Sequence, residues 1–402
     1  MNQRNELPFS RNNAQNSLDS VVPVKSIGLL STFPPTPCGL ATFSSALMRG
    51  LETIGVEQVN VVRVTDANEP PHLNALDPHV ISEWRLGSPA SEYRTSSILN
   101  AHDAVFVQHE FGIFDGPDGV NLLSVLANIQ APIVTTLHTV PLLPTPNQKR
   151  ILETVVDISS SAVTMTETAR HRLLDHYEVD PFKIVTVPHG ATLPKVMVPP
   201  SNKYPQLLTW GLLGPGKGIE WAIKAVALLQ DSHPDLRYTI AGRTHPKVFA
   251  YEGERYRQGL IDLSHELGVE NQVVFDDSYR TLDQLLELLL RTTCVVLPYD
   301  SMDQITSGVL VDAIAAGRPV IATEFPHAVE LLNAGAGTIC PHRDPDSLAR
   351  AISEVVSSES TLQGMHAAAK DLAVSHSWDN VASRYLDLVS APTSSLEAAM
   401  AL

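Results

Sequence analysis

Cysteine, positive charge and long apolar runs are all scarce in this chain, and each scarcity excludes something. Its 402 residues include three cysteines, Cys38, Cys294 and Cys340, which cannot all pair, so no disulfide framework carries the fold. That points to a reduced, cytoplasmic compartment. Lys and Arg number 28 against 44 Asp and Glu, a formal net charge of −16. Nucleic acid rewards clustered Lys and Arg, so it is excluded as the main partner. No apolar run approaches the roughly 20 residues of a membrane span. Peripheral membrane contact stays open, because Lys149, Arg150, Arg170 and Arg172 form a loose basic group with acidic residues interspersed. Residues 1–23 are rich in Asn, Ser and Gln and lack the apolar centre of a signal peptide; they read as a disordered tail, as do residues 393–402.

What is present is a repeated alternation of strands and helices. The hydrophobic fraction of 44% is that of a globular protein, and the length exceeds one ordinary core, so two domains are expected. In the first half, strands read at 24–30, 59–64, 104–108, 133–137 and 184–187, and an amphipathic helix follows the loop ending at Cys38-Gly39. Gly39 would let a ligand phosphate approach the helix start, although a tight turn explains a lone glycine equally well. Cys38 at that start has no neighbouring base to make it a nucleophile. His109, with Glu110, and His138 end successive strands and would face one crevice. A metal reading of His109, Glu110 and His138 is disfavoured, because adjacent residues in an extended segment alternate faces.

Pro194, Pro199, Pro200 and Pro205 mark a linker over 193–205 between domains at 24–192 and 206–375. The second half opens with strand 206–210 and the glycine turn Gly211 to Gly218. Gly211, Gly216 and Lys217 have P-loop spacing, but Gly218 stands where a P-loop needs Ser or Thr to hold magnesium. What remains is a strand-to-helix turn with one lysine for phosphate oxygens. The stretch from Leu297 to Glu330 is a strand, a polar loop, an apolar helix and a second strand. Its loop lies where open α/β sheets bind ligands, and the helix start suits an anion such as a diphosphate. Two doubly wound α/β domains facing across a cleft are expected.

These residues carry a family resemblance. The lysine turn, Ile240-Ala241-Gly242 and the segment ending Ala316-Gly317-Arg318-Pro319-Val320-Ile321-Ala322 resemble the C-terminal domain of retaining GT-B glycosyltransferases of family 4, the glycosyl transferases group 1. Pro188-His189-Gly190 resembles the close of their N-terminal domain, and Ser377-Trp378 begins a segment, 376–392, that resembles their final helix crossing back. Gln108 to Phe114 and Gln304 to Gly308 resemble a bacterial branch.

The resemblance implies a GT-B architecture of two Rossmann-like domains with a GDP- or UDP-sugar in the cleft. It implies transfer of a hexosyl group, mannose or glucose, to a small or oligosaccharide hydroxyl acceptor, with retention and without a metal. The family's paired glutamates fall on Gln304 and Asp312, and its diphosphate arginine falls on Leu212, leaving Lys217, with Arg243 as a candidate substitute. His138 resembles the histidine beside the donor sugar and, with Lys217, is the expected catalytic residue. Gly39, Leu212, Gly216, Arg243, Gln304, Thr306, Ser307, Gly308 and Asp312 are placed on the donor, and His109 and Glu110 on the acceptor side. Other GT-B chemistry (a phosphorylase or a sugar-nucleotide epimerase), a non-catalytic sugar-nucleotide or glycan-binding protein, and a P-loop phosphotransferase are the alternatives.

Overall fold

The computed structural model describes residues 24–36, 38–66, 77–201, 203–278 and 280–390; both expected tails lie outside them. The first sheet contains β1 (Ser26–Ser31), β2 (Gln58–Thr65), β3 (Val80–Arg85), β4 (Ala104–His109), β5 (Ile133–Leu137), β6 (Ser161–Thr164) and β7 (Ile184–Thr186). Its order is β3-β2-β1-β4-β5-β6-β7, and every neighbouring pair is parallel. The second sheet contains β8 (Gln206–Trp210), β9 (Arg237–Ala241), β10 (Val273–Asp276), β11 (Cys294–Leu297), β12 (Val320–Thr323) and β13 (Gly337–Cys340). Its order is β10-β9-β8-β11-β12-β13, also parallel throughout. Strands covered by helices on both faces become continuous buried runs, as β4, β5, β11 and β12 are.

The order reverses beside β1 in one sheet and beside β8 in the other, so each domain has a switch point at its carboxyl edge. The helices Gly39–Thr53 and Ile219–Leu228 follow those two strands. The final helix, Trp378–Ser390, returns to the first domain: Tyr385 Oη lies 2.8 Å from Thr136 Oγ1, and Arg384 donates to the Thr186 carbonyl at 2.6 Å.

A second seam joins the domains at the cleft. Ile305, in the loop after β11, is 4% exposed and belongs to the apolar core of the first domain. Its carbonyl accepts from Thr166 Oγ1 at 3.1 Å, at the start of the helix Glu167–His176. The Glu330 carboxylate, on the helix Pro326–Leu332, accepts from the Glu167 N–H at 2.8 Å and the Thr168 N–H at 3.0 Å. An anion at a helix N-terminus satisfies free donors and the helix dipole together. Burial of Ile305 adds about 2 kcal/mol to that seam.

Candidate functional site

On the second domain the site begins with the glycine turn. Gly218 has φ +62°, and a Cβ there would lie 1.8 Å from the Pro298 carbonyl oxygen, so the turn is pressed against the end of β11. The Asp300 N–H also donates to the Gly216 carbonyl at 2.9 Å. This contact brings Lys217 beside the polar loop: its Nζ stands 4.2 Å above the Tyr299 ring, which is stacked on Phe325. Among the described residues no carboxylate pairs with Lys217, so its charge is held by an aromatic face and left for a ligand. Leu212 is 38% exposed in the same turn and offers no charge. Arg243 donates to the Asp277 carbonyl at 3.1 Å and lines a cavity of about 660 Å³ with Thr244, Phe249, Glu254 and Arg257.

The helix Gly308–Ala315 supplies the second part. Ser307 caps it, its Oγ accepting from the Leu310 N–H at 3.3 Å. The Ser307 N–H is spent elsewhere, donating to His327 Nδ1 at 2.8 Å. A main-chain N–H can only donate, so His327 is neutral with its proton on Nε2. The Ser307 N–H is thus taken, and the N–H groups of the next residues, beginning with Gly308, remain at the helix start. Gln304 is turned back on its own loop, its Nε2 donating to the Thr306 carbonyl, and Thr306 Oγ1 is buried without a partner. Asp312 sits one turn into the helix, where burial pushes its carboxyl up to about 7.

The first domain contributes rings. Phe43, on the helix that Gly39 begins, meets His138, His189 and Trp378 edge-on, with centroids 4.9, 5.0 and 5.0 Å away. His138 Nε2 is 2.8 Å from Gln108 Oε1, and burial lowers the His138 pKa to about 3, so the ring is a fixed neutral hydrogen-bonding group. His189 donates from Nδ1 to the Gly190 carbonyl at 2.7 Å. A Cβ on Gly308 would come within 3.1 Å of His189 Nε2, so this histidine of the first domain closes directly over the start of the second domain's helix. Open space surrounds Gly39 where a side chain would be, and Cys38 caps its helix by accepting the Ala41 N–H at 3.4 Å.

His109 is deeply buried. It is 1% exposed and packs edge-on against Phe111, with its Nδ1 buried and without a partner, so the side chain is nearly closed off from solvent. Glu110 is the half-buried member of the pair: it accepts from Thr139 Oγ1 and from the Phe111 N–H at 3.0 Å, and burial raises its pKa. No group of three His, Cys, Asp or Glu side chains among the described residues is arranged to hold a metal ion. Sequence reading passed over Gln108, His189, His327 and Tyr299 as site members. Two of them had a signal: His189 in the turn Pro188-His189-Gly190 at the end of a strand, and Gln108 at the start of the segment Gln108 to Phe114.

Comparison with known proteins bears on the fold and on the second domain. Residues 197–372 match the model of the family described as glycosyl transferases group 1. The chain is similar to the D-inositol 3-phosphate glycosyltransferase of Streptomyces coelicolor, 27% identical over 300 residues covering 65% of this chain and 64% of that protein. The Corynebacterium diphtheriae protein of the same name is 25% identical over 285 residues, 64% of each chain. This chain thus spans slightly less than two thirds of the length of those relatives. Among solved structures, a glycosyltransferase from Rickettsia africae has a TM-score of 0.71 at 16% identity, over 91% of this chain and 98% of that one. Anabaena HepE in complex with UDP has a TM-score of 0.69 at 15% identity, over 91% and 99%. Sucrose-phosphate synthase from Thermosynechococcus elongatus has 0.69 at 17%, over 93% and 100%. The fold is GT-B, and no helix among the described residues is long and apolar enough to cross a membrane.

Proposed function

We propose that this protein is a retaining glycosyltransferase that moves a hexosyl group from a nucleotide-diphosphate sugar to a hydroxyl acceptor. One observation carries the reading: an unpaired lysine, Lys217, is packed by its own turn against the loop that leads into the Gly308 helix. Breaking the sugar–phosphate bond leaves an oxocarbenium-like sugar and a diphosphate with added negative charge. Lys217, the free N–H groups of the helix start and the helix dipole meet that charge in place. The glycosyl transferases group 1 match over this domain supports the same assignment.

The transfer needs no metal in this proposal, because lysine and helix supply the positive charge. His138 faces the donor sugar as a neutral group, and Asp312 accepts from the ribose hydroxyls. The UDP complex of a neighbour of the same fold favours UDP as the first nucleotide to test, followed by GDP. A cytoplasmic location belongs to the proposal and is supported by three free cysteines, two of them buried.

Thermal unfolding with UDP, GDP and ADP, each with magnesium or EDTA, tests it. A nucleotide at about a hundred times its dissociation constant adds roughly 2.7 kcal/mol. One diphosphate raising the melting midpoint equally in EDTA is the expected result. Stabilisation by free phosphate with no response to any nucleotide would make the protein a phosphorylase.

A further inference from the structure

Glu110 and Thr139 lie just beyond His109 and Leu137, paired residues at the carboxyl ends of the adjacent strands β4 and β5. His138 sits between these strand ends, so the Glu110 carboxylate borders the expected reaction centre from the first domain. The carboxylate accepts from Thr139 Oγ1, from the Phe111 N–H and from the Gly112 N–H, which leaves one of its four lone pairs for a further donor. The remaining lone pair calls for a donor. A hydroxyl group supplies it; a phosphate at neutral pH has only acceptors and a charge of the same sign.

Three arginines near this edge are already committed. Arg172 donates to the Val140 carbonyl at 3.1 Å and pairs with Asp303 at 3.6 Å. Arg63 and Arg85 both pair with Glu83, at 2.9 and 3.3 Å. Lys247 of the second domain approaches from across the cleft, its Nζ 3.6 Å from where a Gly112 Cβ would be, and its charge acts on Glu110 itself.

We infer that the acceptor is an uncharged polyol or sugar, donating from a hydroxyl to Glu110, and that Glu110 discriminates against phosphorylated acceptors, including the one that the relatives are named for. The inference rests on the transferase reading. It is a selection by charge: a like-charge contact near a protein surface disfavours the wrong ligand by about tenfold or more.

Saturation-transfer NMR, with UDP or GDP present, compares glucose with glucose 6-phosphate and myo-inositol with inositol 3-phosphate; initial rates with a turned-over sugar nucleotide give the second readout. The neutral member of each pair should bind and react at least about tenfold better. Glu110→Gln should shrink that gap, Glu110→Asp should keep it, and Lys247→Ala should widen it, with circular dichroism showing each variant folded. Equal or stronger binding of the phosphorylated members, binding of neither, or a gap unchanged in Glu110→Gln overturns the inference. If no sugar nucleotide is turned over, the transferase reading fails, and the NMR comparison still decides the charge preference.

Discussion

The two walls of the cleft are built on different principles. The second domain offers charge and main-chain donors: a lysine over an aromatic ring, and a helix start whose capping serine is tied to His327. The first domain offers neutral rings in fixed orientations, with Phe43 holding His138 and His189, and a single carboxylate. A leaving diphosphate needs positive potential that exists before the bond breaks, whereas a sugar and its acceptor need hydrogen-bond geometry without a competing charge. On the proposed function, the division meets that demand.

The sharpest way to break the comparison is at the glycine turn. Gly218→Ala puts a Cβ at 1.8 Å from the Pro298 oxygen in a left-handed conformation, and should cost ~3 kcal/mol or more, unfolding the second domain first. Urea denaturation followed by tryptophan fluorescence measures it; an unchanged midpoint would mean that the turn does not press on β11. Next in size, Lys217→Ala should lower kcat roughly a hundredfold, about 3 kcal/mol of leaving-group stabilisation, in steady-state kinetics. His138→Ala should lower kcat by about a hundredfold or less while the nucleotide dissociation constant stays within a factor of about two, which calorimetry checks. Equal losses in both would put His138 on the donor-binding wall and erase the contrast.

A pH-dependent effect concerns Asp312. Its carboxyl titrates near 3.8 unfolded and about 7 folded, so folding takes up a proton between those values and stability falls as pH rises through the window. Asp312→Asn removes the fall. Its gain in melting temperature should be largest above pH 7 and vanish toward pH 4.

Much of this architecture was readable in the residues. The strands β1, β4, β5, β11 and β12 announce themselves because parallel strands buried on both faces are continuous apolar runs. The strands β3, β6 and β13 did not: β3 and β13 are edges with mixed burial, and β6 is the short Ser-Ala-Val-Thr, whose polar residues are buried. The glycine turn and the polar loop were legible because their chemistry is local. The burial of His109 was not legible, because alternation says which residues share a face and does not say how far each is covered. The contacts of Ile305 with the first-domain core and of Glu330 with Glu167 were invisible, since their partners lie far away in sequence.

Ile305 is inserted into the other domain's core, so any opening of the cleft has to withdraw it together with the loop after β11. On the proposed function, a donor and an acceptor that both favour the closed form tighten each other by one common factor. Weak acceptor affinity measured on the empty protein would then reflect an open seam, and the acceptor's true affinity would be seen only with the nucleotide already in place.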